Sequence, residues 1–405
     1  MHPHVSRCRL LALVLGAGTT SALAEDVTPN LQINGFGTFG YTTVSDDFGG
    51  KYQSETFSPG SGVDDKGSFS FGNVLGLQLK YNVDEKIDLV GQLVAQGDEN
   101  YDTRAEWAYA AYAVTDRLNL RAGRFAQPLF MYSENIRVGQ AYPWAHLPTE
   151  VYFNASIATS FDGVDVLYRH PLGSWNLDMQ AYTGRTSQSE LAFSSDIRRQ
   201  LGANVTLGNG DLSLRAGYNE GHLNYTFNFV PAPPPITDET ARFSEIGLTY
   251  DDGTWFAAAE ITQIRAEGYT PDSDAAFASV GRYFGKWLPY VVFSKANAVK
   301  GDECRGGFIP IITGQLVAGG MPPANAAAAA PGIADFTCRS QLENEQTSYS
   351  LGFRYDISRR SSLKLQVDHL TDFHDTRGFF GGLPQGTLSD DDSAEAITVN
   401  LNTAF

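Results

Sequence analysis

Three stretches of the chain carry residue types that could do chemistry. Gly35-Phe36-Gly37-Thr38-Phe39-Gly40 fits G-x-G-x-x-G, the spacing that lets backbone amides at a helix N-terminus cradle a pyrophosphate. No helical pattern follows it, and the glycines lie inside an alternating strand, where glycine permits bends, so dinucleotide binding is not expected. Asp368, His369, Asp372, His374 and Asp375 carry metal-ligating groups. Neighbours on a strand point to opposite faces, so Asp368 and His369 cannot converge, and the run reads as a strand entering a polar loop rather than a metal site. Cys304 and Cys338 are the third feature; with Cys8 they are all the cysteines of the chain. Neither H-E-x-x-H nor G-x-S-x-G occurs, so no enzyme is expected, and no cofactor.

The charge balance narrows the partners. The chain has 405 residues, with 46 acidic against 29 basic side chains and a net charge of -17. Such a surface repels phosphate backbones, and nucleic acid is excluded as a partner. His2, His4, Arg7 and Arg9 precede the apolar stretch Leu10 to Leu15, and Ala22-Leu23-Ala24 forms an A-x-A cleavage site. Residues 1–24 therefore read as a secretory signal peptide, with the mature chain starting at Glu25. Losing Arg7 and Arg9 takes -17 to -19 over residues 25–405. In an exported chain the remaining pair, Cys304 and Cys338, suggests one disulfide, with two free buried thiols as the alternative.

The elements that must position any site are strands. Leu75, Leu77, Leu79 and Tyr81 share one parity while Gln78, Lys80 and Asn82 share the other. Leu363, Leu365 and Val367 alternate in the same way with Lys364, Gln366 and Asp368. A two-residue period with one greasy and one wet face is the strand signal. It recurs sixteen times, near 31–44, 68–83, 87–97, 104–114, 118–125, 161–169, 175–185, 197–207, 212–225, 243–250, 255–265, 275–284, 288–296, 347–356, 362–371 and 394–405. Connections alternate between tight polar turns and mostly longer loops, including 45–67, 126–160, 226–242, 297–346 and 372–393. No uninterrupted apolar run is long enough for a membrane helix, because Gly and Pro break the best candidate, 308–333. The expected fold class is all-β, a transmembrane antiparallel β-barrel of about 16 strands with short periplasmic turns and long extracellular loops. Tyr81, Tyr168, Trp175, Tyr250, Trp255, Tyr283, Trp287 and Tyr355 flank the short turns and would form an interfacial aromatic girdle.

The last strand carries a resemblance. Ile397, Val399, Leu401 and Phe405 share one face, Thr398, Asn400 and Asn402 the other, and the chain stops at an aromatic residue. This resembles the C-terminal strand of Gram-negative outer-membrane proteins, whose final Phe is read by the barrel-assembly machinery. With the export signal, sixteen strands and a long third loop, essentially the whole mature chain resembles the trimeric porins. The resemblance implies a homotrimer in the outer membrane, in contact with lipid and lipopolysaccharide, that passes small hydrophilic solutes through a water-filled lumen. It also implies that loop 126–160 folds inward and narrows the lumen.

Candidate constriction residues follow from that implication: Glu134, Arg137 and Glu150 on the loop, Arg104, Glu106, Arg121 and Arg169 on the wall, and Arg124 at a strand end. Basic groups facing acidic ones across a pore would filter solutes by charge; pairing within the wall would merely stiffen it. The loop lacks the PEFG-type acidic segment of enterobacterial porins, while Arg121-Ala122-Gly123-Arg124 and Ala141-Tyr142-Pro143-Trp144 resemble porins of environmental bacteria. The expected function is passive diffusion. The alternatives are a channel preferring small carboxylates or other anions, and a barrel enzyme or adhesin. Loop 297–346 combines the cysteine pair, Ile309, Ile311, Ile312, Leu316 and Val317, and the alanines 326–330. It would form a disulfide-closed cap over the mouth or a neighbouring subunit, or else an irregular Ala/Gly/Pro loop.

Overall fold

The computed structural model describes residues 25–28, 30–45, 47–53, 62–153, 160–189, 193–227, 235–268, 272–299 and 301–405. The signal peptide expected over 1–24 lies outside them.

Alternation folds into sixteen barrel strands: β1 Leu31–Ser45, β2 Val74–Asn82, β3 Ile87–Gln96, β4 Thr103–Thr115, β5 Leu118–Phe125, β6 Phe161–Leu172, β7 Trp175–Ser189 and β8 Phe193–Gly208. They continue with β9 Leu212–Phe227, β10 Ile236–Asp251, β11 Trp255–Ala266, β12 Asp272–Arg282, β13 Trp287–Val299, β14 Gln346–Asp356, β15 Ser361–Thr371 and β16 Ala394–Ala404. Each strand pairs antiparallel with the next, and β16 pairs with β1, Leu401 opposite Phe39, so the sheet closes on itself. Closure leaves no unpaired edge. Hydrocarbon offers backbone groups no water to bond, so only such a closed ladder spans it with strands.

Side-chain direction follows parity. Leu75, Leu77, Leu79, Val164, Val166, Leu201, Ile246 and Leu351 are exposed on the outside. Along β5 to β10 that outer face changes from apolar residues to the ion pairs Arg124–Asp162, Arg198–Asp196 and Arg242–Glu220, which mark the upper limit of the lipid-facing band. One bulge shifts the parity of β4: Gln92 faces Trp107 while Leu93 faces Ala105, with Glu106 as the extra residue. Beyond it Tyr109 and Ala111 share the inner face with Arg121 of β5.

Turns of two to four residues join β2 to β3, β4 to β5 and so on around one end. The opposite end carries the long connections 46–73, 126–160, 300–345 and 372–393. Two glycines of the G-x-G-x-x-G stretch have packing reasons. A Cβ on Gly35 would strike the Phe405 ring, and one on Gly40 would strike the β16 backbone at Val399. Phe405 and Gly35 exchange two backbone hydrogen bonds of 2.9 Å, so the C-terminal residue is stitched into the wall.

Three sequence expectations change. The second strand begins at Val74, not 68: Phe69 is exposed in the loop, and Phe71 is buried near Tyr52. The tenth begins at Ile236 rather than 243, extending well beyond the membrane thickness. Finally, the irregular-loop alternative for 297–346 is replaced by two helices, α1 Gly301–Ala318 and α2 Pro323–Gln341, joined by the four residues Gly319, Gly320, Met321 and Pro322. Cys304, Phe308, Ile312 and Leu316 form one stripe, packed on the stripe Ala330, Ala334 and Cys338. The four-residue spacing is helical, and alanine lets the two helices approach closely. Cys304 and Cys338 are disulfide-bonded at the hairpin's base, with Cα atoms 6.1 Å apart.

Candidate functional site

The third loop leaves β5, crosses the lumen and packs on the opposite wall. It contains α-helical Thr149–Tyr152 and two single 3-10 turns, Ser133–Asn135 and Gly139–Ala141. Its aromatic residues set its path. Trp144 is fully buried among Tyr132, Tyr142, Phe256 and Phe277, with ring centroids 5.3 to 6.3 Å away, and its indole N–H donates to Ser279 Oγ at 2.9 Å. Phe130 packs tilted against Tyr152 and edge-to-face against Phe243. Phe153 packs on Phe379 of the loop 372–393, which in turn pairs with residues Lys51 and Tyr52 of the first loop. The loop-side mouth is therefore tied to the constriction loop by one apolar cluster.

Polar anchors fix the same wall. Glu150 accepts hydrogen bonds from Ser294 (2.6 Å), Gln346 (2.6 Å) and Ser348. Glu260 accepts from the Met131 N–H (2.8 Å) and the Tyr152 hydroxyl. Four successive inner residues of β15 contact the loop: Ser362 donates to Gln140 (2.6 Å), Lys364 donates to backbone carbonyls, Gln366 accepts from the Ala145 N–H (3.1 Å), and Asp368 meets His146 (3.0 Å). The inner side chains of β10 to β16 are accordingly buried, whereas Gln78, Lys80, Arg104 and Arg169 on β2 to β6 remain partly exposed.

The candidate residues fall into separate groups. Arg104 pairs with Glu99 and with Glu106 (3.5 Å), and Arg137 of the loop reaches the same Glu106 at 3.1 Å. Arg121 forks onto Asp165 and bonds Glu134 of the loop at 3.1 Å, its guanidinium over the Phe125 ring. These two clusters link the β4–β5 wall to the start of the loop. Glu150 lies on the far wall, as its partners show. Arg169 pairs with Asp178 near the turn 173–174, at the short-turn end. Arg124 is a correction: three residues from inward Arg121, it falls on the outer face, paired with Asp162 at 2.7 Å. Asp165, Glu260, Lys364 and Gln366 were not among the candidates. Wall polarity at lumen parity is their only sequence signal, and many positions share it.

A recess opens between the loop and β1, β2 and β16, touching Thr38, Asn73, Arg137, His146 and Asn400. A second shares His146 and reaches Glu150 and Asp368. Among the described residues no group of three or more His, Cys, Asp or Glu side chains is arranged to hold a metal ion.

A closed sixteen-strand barrel with lipid outside, charged groups inside and a loop across its lumen is a membrane channel. The model of the Gram-negative porin family matches residues 10–375, and the chain belongs to that family. It is an outer-membrane porin, a passive diffusion channel. Solved structures agree in fold. An anion-selective porin from Comamonas acidovorans matches with a TM-score of 0.53 and 13% identity, over 93% of this chain and 99% of that one. The outer membrane channel DcaP of Acinetobacter baumannii gives 0.53 and 14%, over 96% and 100%. OmpT of Vibrio cholerae in a trimer form gives 0.52 and 13%, over 93% and 100%. Among curated proteins, none matches the sequence.

Proposed function

We propose that small hydrophilic solutes diffuse along the β2–β6 side of the lumen, past an eyelet formed by Arg104, Glu106, Arg121, Glu134 and Arg137, with no catalytic step. The observation that carries this reading is an asymmetry of burial: the loop covers the inner face of β10 to β16, whereas Gln78, Lys80, Arg104 and Arg169 on β2 to β6 stay partly exposed beside the buried Glu106, Arg137 and Asp165. Each eyelet arginine faces a carboxylate. Paired charges orient dipolar solutes without offering a large net attraction to one sign of ion, which suits a general porin. A second reading, preference for small carboxylates or other anions, is favoured by Arg104 and Arg169, whose side chains are 37% and 46% exposed.

Reversal potential in a salt gradient across a planar bilayer tests the choice. A value near zero, with conductance unaffected by carboxylates, supports general diffusion. Anion selectivity with saturable block by a dicarboxylate supports the second reading. A homotrimer, contact with lipopolysaccharide, and recognition of the accessible Phe405 ring by the assembly machinery complete the proposal.

A further inference from the structure

We propose that Lys364 is the latch that holds the constriction loop in place, and so sets the size limit of the channel; this rests on the diffusion reading above. Lys364 lies on β15, in the middle of the row that touches the loop, and its side chain is fully buried. Its Nζ donates to three backbone carbonyls of one short segment: Gly139, Tyr142 at 2.8 Å and Trp144 at 2.7 Å. Three acceptors use all three N–H bonds of an ammonium group; a neutral amine would turn its lone pair on one of them. The Tyr142 ring adds a cation–π contact at 4.7 Å.

The segment is built for a cation. Gly139–Ala141 is a single 3-10 turn, so the carbonyls beyond it have no helical partners. Pro143 brings no N–H to compete. Arg354 on β14 donates to the Gln140 carbonyl (3.0 Å) and to the Tyr142 carbonyl (3.2 Å) that Lys364 also holds. Four carbonyl oxygens thus face two cations of the wall, a backbone cage closed around a side-chain ammonium. The Ala141-Tyr142-Pro143-Trp144 run thereby acquires a role: it presents carbonyls, while Trp144 supplies the apolar seal. A Cβ on Gly139 would crowd the Asn402 and Thr38 side chains of the wall. The cage therefore sits flush against the wall.

Lys364 is a positioning residue, and solutes pass on the opposite side of the loop. Its loss should release the loop without opening the barrel, whose ladder bonds it does not make. The variant Lys364→Met keeps the length and removes the donors. Single-channel conductance should rise about two-fold as the constriction widens, and amide exchange over 139–145 should accelerate about 100-fold for the loss of charge-assisted bonds. Lys364→Ala leaves a cavity in which a free methylammonium ion can present the same N–H donors. Methylammonium chloride should return conductance to the wild-type value, and tetramethylammonium, which has no N–H, should not. Wild-type protein that conducts while both variants match it in conductance and exchange overturns the latch; a silent wild type instead overturns the diffusion reading. If Lys364→Ala does not refold in detergent, refolding restored by methylammonium supports the cage, and refolding that fails with either salt refutes it.

Discussion

Trp144→Ala is the sharpest perturbation of the loop's apolar seat. The ring is fully buried, touches four aromatic rings and donates one hydrogen bond. Truncating a buried Trp costs about 3 to 5 kcal/mol, with the Ser279 hydrogen bond as part of that loss. At 1.4 kcal/mol per factor of ten, docking of the loop weakens about 10²-fold to several thousand-fold. The barrel should survive, because Trp144 makes no ladder bond and the strands pair independently of it. The assay is hydrogen exchange of peptides covering 126–153 beside those from β6 to β9, together with dye-release or swelling of proteoliposomes. Faster exchange confined to the loop, with a raised solute size limit, is expected. Exchange accelerated equally throughout the strands, or unchanged in the loop, would refute the claim that the loop is a separately docked element.

Other expectations follow from the charged groups and the hairpin. Arg121→Gln leaves Asp165, wholly buried, without its cation, which costs about 3 to 5 kcal/mol locally; the reversal potential should move toward cation preference. Reducing the Cys304–Cys338 bond opens a segment with a sequence separation of 34, worth about 4 kcal/mol of loop-closure entropy. Protease should then cut within 301–341 while the barrel stays intact. Asp335 in α2 is affected first by burial, which would raise its pKa, but hydrogen bonds from Arg305 and Arg339 outweigh this and hold it below the usual carboxylate value. A depressed carboxylate contributes stability above its unfolded pKa of about 3.9 and loses it as pH falls through the folded value. Exchange at the hairpin base should therefore increase below that pH and not between pH 5 and 8.

Much of the wall is legible from alternation, because one face of each strand must meet lipid and the other polar groups. Lys364, Gln366 and Asp368 against Leu363, Leu365 and Val367 show this plainly. What alternation does not reveal is which inner side chains stay wet. Lys364 and Arg104 have the same parity signature, yet one is sealed beneath the loop and the other borders the recessed lumen, a difference made by contacts hundreds of residues apart. The Glu106 bulge is hidden for a similar reason: it shifts register without changing composition. Arg124 is misplaced when the end of a strand is treated as pore lining, although parity with Arg121 already places it outside. The hairpin helices escape detection because the stretch 306–334 has no charged residue and many Gly, Ala and Pro. Its helical stripe at four-residue spacing only gains meaning once the two halves face each other.

The central claim is a passive channel in the outer membrane, and single-channel recording of the purified protein in planar bilayers tests it most directly. Stepwise, ohmic openings whose conductance scales with bulk salt are predicted, grouped in threes if the proposed trimer forms. A bilayer that stays silent with folded, inserted protein would contradict the account.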